Sequence, residues 1–164
     1  LEILDFVKIL LKNNENLKVI YKPFPGTLSK DPIKEICSTY IQSKKIIITE
    51  KKPTDLFNNA NLVLLDSIST CFAEAVTANI PVIVYNSSHE YDSTSSSGKI
   101  VNDELTNSGV QCFTTECAIE SFHRIINNYE EYRSTTKIPI EKYKKDLATL
   151  VTKKDWHKTF MKAI

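Results

Sequence analysis

Residues 61–86 read NLVLLDSISTCFAEAVTANIPVIVYN, and their pattern decides the fold. Leu62-Val63-Leu64-Leu65 is a short apolar run of the kind that forms a strand buried on both faces. Asp66, Ser67, Ile68, Ser69 and Thr70 follow, mostly residues suited to a helix N-cap. Cys71, Phe72, Ala75 and Val76 then fall at a spacing that gives one apolar helix face. Asn79 tolerates the left-handed conformation that ends helices, and Pro81 blocks continuation. Val82-Ile83-Val84-Tyr85 predicts a second buried strand. A strand–helix–strand unit of this kind implies parallel strands and a right-handed crossover.

The turn after the first of these strands is where chemistry is expected. A helix beginning near Ser69 leaves about four N–H groups without partners inside the helix. With the helix dipole they attract an anion, and Ser67, Ser69 and Thr70 add hydroxyl donors. Helix capping alone is a sufficient account of these hydroxyls taken by themselves. The remainder of the chain argues for more.

Working outward toward the N-terminus, Lys45–Thr49 carries the β-branched run Ile46-Ile47-Ile48, and a brief helix through Leu56 and Phe57 links it to residue 61. Ile33, Ile36, Cys37, Tyr40 and Ile41 form the buried stripe of an earlier helix, with Asp31 as its cap and Pro32 at its first position. Leu17–Tyr21 predicts a strand that runs into Lys22-Pro23-Phe24-Pro25-Gly26, an extended and then turning loop. Ile3, Val7, Leu10 and Leu11 mark an opening helix, already under way at Glu2 and ended by Asn13-Asn14.

Toward the C-terminus, Ser93–Gly98 is a low-complexity patch that predicts a mobile surface loop. A helix through Ile100, Val101 and Leu105 stops at Gly109, and Val110–Phe113 predicts a last strand. Thr114 or Thr115 caps a helix whose Ala118, Ile119, Phe122, Ile125, Ile126 and Tyr129 share a face. Two tail helices are expected within 141–164, one with Tyr143, Leu147, Leu150 and Val151, the other anchored by Trp156 and Phe160. The alternation predicts an α/β, Rossmann-like parallel sheet of about five strands with helices on both faces. The whole chain, 1–164, is read as a single domain.

Composition narrows the function classes. The 164 residues are 41% hydrophobic, enough for a substantial core, and the net charge of +1 gives no field suited to nucleic acid. Cys37, Cys71, Cys112 and Cys117 form no C-x-x-C pair and read as buried, reduced thiols of a cytosolic protein. No signal peptide or apolar run long enough to span a bilayer is visible. With 3 glycines the chain carries neither a G-x-G-x-x-G fingerprint nor a phosphate-binding P-loop. His89, His123 and His157 lie far apart, so no metal site is expected, and no G-x-S-x-G elbow supports a hydrolase.

Ala60-Asn61-Leu62-Val63, Asp66, Ser69-Thr70, Glu74-Ala75 and Asn79-Ile80-Pro81, after an earlier Lys22-Pro23 loop, carry a resemblance. The pattern resembles the C-terminal half of GT-B glycosyltransferases, and among them bacterial surface-carbohydrate transferases of the capsule and lipopolysaccharide type, including sialyltransferase-like and Kdo-transferase-like enzymes. The likeness covers roughly Leu17 to Tyr132 and is strongest over Ala60 to Tyr85. It implies a nucleotide-sugar donor, CMP-, CDP- or UDP-linked, and no resident cofactor. It further implies that Ser69-Thr70, with Ser67 beside them, hold the donor phosphate. Those families carry His-Pro where this chain has Lys22-Pro23; a lysine holds phosphate as a point charge but is no proton donor near neutral pH. Glu74 is the candidate for the ribose, and the loop beginning Thr49-Glu50 for the nucleoside.

The resemblance also implies a second, N-terminal half that binds a glycan or lipid-linked acceptor and supplies the catalytic base. The chain is therefore expected to be a piece of a cytoplasmic enzyme working at the inner face of the membrane, able to bind donor but not to turn it over. No catalytic residue is assigned, and if the chain worked alone its base would be sought among Asp66, Glu74, His89 and Glu90. Two other readings stand beside this one: a CDP-polyol phosphotransferase of the teichoic-acid type, and a Rossmann-like module that binds a nucleotide or partner without turnover.

Overall fold

The three β-branched and aliphatic runs that precede Pro81 each form a strand, and each is followed by helix. In the computed structural model, which describes residues 2–86 and 96–152, the contacts group the chain into two compact units, Leu1–Ala60 and Asn61–Ile164. Ser93 to Ser95, His89, Glu90, Trp156, His157 and Phe160, with the second expected tail helix, lie outside the described residues.

In the first unit, α1 (Glu2–Asn13) buries Leu4, Phe6, Val7, Leu10 and Leu11. The Asn14 side-chain amide donates back to the Leu10 carbonyl at 2.9 Å and closes its end. β1 (Val19–Tyr21) pairs in parallel with β2 (Ile46–Ile48), Val19 opposite Ile46 and Tyr21 opposite Ile48. The expected single helix between them divides at Cys37 (φ −116°, ψ 21°) into α2 (Ile33–Ile36) and α3 (Ser38–Gln42). Ile33 and Cys37 are buried, whereas Ile36, Tyr40 and Ile41 are half-buried. Asp31 does the capping expected of it: its carboxylate accepts the Ile33 N–H at 2.9 Å and the Tyr21 hydroxyl at 2.8 Å. α4 (Pro53–Leu56) and a 3₁₀ turn (Phe57–Asn59) complete the unit. Ile20 and Ile47, in register, are 45% and 49% exposed, so one face of this short ladder is open.

The second unit holds β3 (Val63–Leu65), α5 (Thr70–Thr77), β4 (Val82–Tyr85), α6 (Ser96–Asn107), β5 (Gln111–Cys112), α7 (Thr115–Asn127) and α8 (Tyr129–Thr152). Its strands run in the order β3-β4-β5, parallel throughout, with Val63 opposite Val82 and Val84 opposite Gln111. All four β4 residues are buried, as a continuous apolar run requires of a central strand. β3 differs from expectation: its residues are only half-buried, because it is the edge of this ladder. The parallel direction agrees with the alternation of strand and helix. The single five-stranded sheet does not: the strands pair as one ladder of two and one of three.

The turns into β2, β4 and β5 share one device. After α5, Asn79 has φ 58°, its N–H bonds the Val76 carbonyl at 3.2 Å and the Ile80 N–H bonds the Ala75 carbonyl at 3.1 Å. These are the two bonds of a Schellman motif. Gly109 (φ 76°) repeats it after α6, through Gly109 to Thr106 and Val110 to Leu105. Lys44 (φ 57°) repeats it after α3, through Lys44 to Ile41 and Lys45 to Tyr40.

Three further expectations need correction. Ser96–Gly98 belong to α6 rather than to a loop, since serine loses little in a first turn whose N–H groups have no helical acceptor. α7 stops at Asn127 and the backbone turns at Asn128 (φ −147°, ψ 65°), so Tyr129 belongs to the next helix, and both Ile126 and Tyr129 are exposed instead of on the buried face. The tail helix starts at Tyr129, well before 141, and passes through Pro139. It packs on α5, α6 and α7, and is held on both sides of that proline. On one side Tyr132 is buried, its hydroxyl accepting the Val82 N–H at 3.2 Å and donating to the Val82 carbonyl at 2.8 Å. On the other, Tyr143 stands edge-on to Phe72 with ring centroids 4.9 Å apart.

Candidate functional site

In a parallel α/β sheet the strand carboxyl ends face the segments that bind ligands, because each strand there hands over to a helix start. In the second unit those ends bring together the turn 66–69, Asn86 after β4, and Phe113-Thr114 after β5.

Ser69 occupies the N-cap position of α5 with extended backbone (φ −129°, ψ −172°), and its carbonyl accepts the N–H groups of Phe72 and Ala73 at 3.0 and 3.2 Å. Its hydroxyl makes no capping bond. Among the described residues, none accepts from the N–H groups of Thr70 and Cys71. Ser69 and Thr70 are exposed and Ser67 is half-buried. The Ser67 hydroxyl donates to Asp66 Oδ1 at 3.3 Å, so Asp66 engages its own turn. Glu74 is exposed four residues beyond Thr70, on the same side of α5.

The other four predicted residues belong to the first unit. Lys22 and Pro23 follow β1, and the Lys22 ammonium donates to the Pro23 carbonyl at 3.2 Å. Thr49 and Glu50 follow β2; the Thr49 N–H extends the ladder to the Tyr21 carbonyl at 2.9 Å, and its hydroxyl accepts the Lys51 N–H at 3.3 Å. Because β1 and β2 are parallel, these loops are neighbours. The predicted residues thus form two sets of neighbours, one within each unit.

Tyr85 and Asn86, which the strand-end rule places on this edge, meet further polar groups there. The Tyr85 hydroxyl meets Thr115 Oγ1 at 3.0 Å, and Thr114 Oγ1 accepts the Cys117 N–H at 3.3 Å. Gln111, 1% exposed, donates to Asn86 Oδ1 at 3.3 Å, while its own carbonyl oxygen has no partner. Gln111, polar within the expected strand Val110–Phe113, was the available signal.

The cysteines require a correction. Cys112 and Cys117 are joined as a disulfide, Cα atoms 5.5 Å apart; Cys37 and Cys71 remain free. Four intervening residues that turn from strand to helix bring the two sulfurs together, a pairing that a search for C-x-x-C does not detect. Burial pushes the Cys37 thiol pKa above its ordinary value. An open groove of about 660 Å³ runs between the end of α6 and α7, with Cys117, Glu120, His123 and Arg124 in its wall. His123 is exposed, its ring edge-on to Phe122 with centroids 5.9 Å apart.

Among the described residues no helix is long and apolar enough to cross a membrane, and no three His, Cys, Asp or Glu side chains gather as metal ligands. Comparison with family models, with curated proteins and with solved structures finds no match for this chain.

Proposed function

We propose that this chain is the donor-binding part of a cytoplasmic glycosyltransferase that builds cell-surface polysaccharide from a nucleotide-activated sugar. The observation that carries the reading is the start of α5. Ser69 sits at the cap position, yet among the described residues neither its hydroxyl nor the first N–H groups of the helix have a partner, which is what an anion-binding turn needs and a merely capped helix does not. Ser67, Ser69 and Thr70 then take the donor phosphate and Glu74 takes the ribose. Electrostatic stabilisation of the leaving nucleotide phosphate is the catalytic contribution expected of such a turn.

The test is a thermal-shift panel of CMP, CDP, UDP and purine nucleotides, followed by titration of the best one. A cytidine or uridine nucleotide is expected to raise the melting temperature. The double variant Ser69→Ala/Thr70→Ala is expected to weaken its binding by roughly 1–3 kcal/mol, each hydroxyl losing a hydrogen bond to a charged group. Unchanged affinity in a variant with an intact circular-dichroism spectrum sinks the placement. Transfer assays of a full-length protein with sugar and with polyol donors separate a glycosyltransferase from a phosphotransferase, and absence of turnover with either leaves a binding module.

A further inference from the structure

Cys112 and Cys117 differ in access. Cys112 is fully buried on β5, while Cys117 is half-buried in the first turn of α7 and lines the groove beside it. An incoming reagent therefore meets the Cys117 sulfur, and the Cys112 sulfur is the one released inward. Its inner site suits a free thiol: the Cys112 sulfur lies 3.8 Å from the Gly109 carbonyl and 3.7 Å from the Ser121 hydroxyl. The bonds that hold this corner do not depend on the disulfide. Thr114 caps α7, Ser121 Oγ donates to the Gly109 carbonyl at 2.7 Å, and Arg124 donates to the Ser108 carbonyl at 3.2 Å. Opening the disulfide thus leaves strand and helix docked.

We propose that Cys112–Cys117 is a reversible thiol–disulfide exchange site whose reagent is a small peptide thiol carrying both a carboxylate and an ammonium group, seated in the groove along α7. Arg124 and Glu120 in the groove wall match those two charges. In the reductive direction the reagent's thiolate attacks the Cys117 sulfur. The sulfur–sulfur bond breaks, its electron pair leaves on Cys112, and that thiolate takes up a proton. A second reagent thiolate attacks the reagent's own sulfur in the mixed disulfide and releases Cys117. The protein disulfide gains two electrons and two protons, and two reagent thiols become one reagent disulfide.

Glutathione is the probe, with the full chain incubated in buffers of varied glutathione to glutathione-disulfide ratio, quenched, alkylated and weighed intact. Oxidising buffer is expected to give a species lighter by two hydrogens, its link mapping to 112–117 and Cys37 and Cys71 alkylated; reducing buffer is expected to alkylate all four cysteines. Cys112→Ser is expected to gain one glutathionyl group on Cys117, and Cys117→Ser none on Cys112. A time course on the unmodified chain gives the same information if a variant fails to fold. Reduction by glutathione is expected to outpace reduction by neutral mercaptoethanol, each rate normalised to a model disulfide. The proposal is overturned by a link that resists glutathione in the folded chain, by adducts on Cys71 or Cys37 instead, or by equal normalised rates for the two thiols.

Discussion

Tyr132→Phe is expected to destabilise the second unit by roughly 2–4 kcal/mol, although it removes a single oxygen. At the amino end of β4 the neighbouring β5 has not yet begun, since its ladder opens at Val84 opposite Gln111. The Tyr132 hydroxyl stands in for the missing strand by serving both the N–H and the carbonyl of Val82, which is fully buried. Phenylalanine fills the same space and strands both groups, whose desolvation is then uncompensated. Urea unfolding checks the figure; a loss under about 0.5 kcal/mol, the level of an ordinary surface change, means that water replaces the hydroxyl. The same burial pushes the Tyr132 pKa up to about 12. The folded chain therefore keeps a proton that the unfolded chain releases near pH 10. This contribution is complete below pH 10 and is lost as pH rises through 12, on the order of 3 kcal/mol in all. The Phe variant should lack that part of the alkaline decline.

Phe72→Ala is expected to cost about 3–5 kcal/mol, the range for emptying an aromatic from a packed core. Phe72 is fully buried in the first turn of α5 and meets Tyr143 of α8 edge to face, so the truncation opens a void and removes the ring contact. A double-mutant cycle with Tyr143→Leu isolates the ring pair, for which a coupling of roughly 0.5–1.5 kcal/mol is expected. Truncation at Cys71, next in sequence but only half-buried, is the control and should cost much less. Equal losses at the two positions would mean that α5 is not held through Phe72.

What could be read from the chain alone was whatever a local pattern determines. The β-branched runs, the left-handed residue at Asn79 with Pro81 behind it, the cap at Asp31 and the cap at Thr114 depend on neighbours within a few residues, and all stand where expected. What could not be read depends on partners far along the chain. Val63–Leu65 is apolar enough for a central strand, and only the pairing order makes it an edge. Pro139 argues for a break, yet contacts at Tyr132 and Tyr143 carry the helix through it. In the candidate site the helix start at Ser69 was legible because it is local. The free state of its hydroxyl was not, because a cap and an open anion turn use the same residues.

The shared turn at Lys44, Asn79 and Gly109 has a consequence for how such a chain can diversify. Each turn is closed by two carbonyl-directed bonds and leads straight into a strand, so its length is set to the residue. One inserted or deleted residue there would rotate the following strand by half a period and send its inward side chains outward. At Gly109 the backbone itself disfavours any side chain, since φ is 76°, and an added methyl group would also displace the Arg124 guanidinium. Among the described residues, the turn 66–69 after β3 carries no such pair of bonds. Within the second unit, changes of length and composition are therefore better tolerated in the turn that holds Ser67 and Ser69 than in the turns at Asn79 and Gly109.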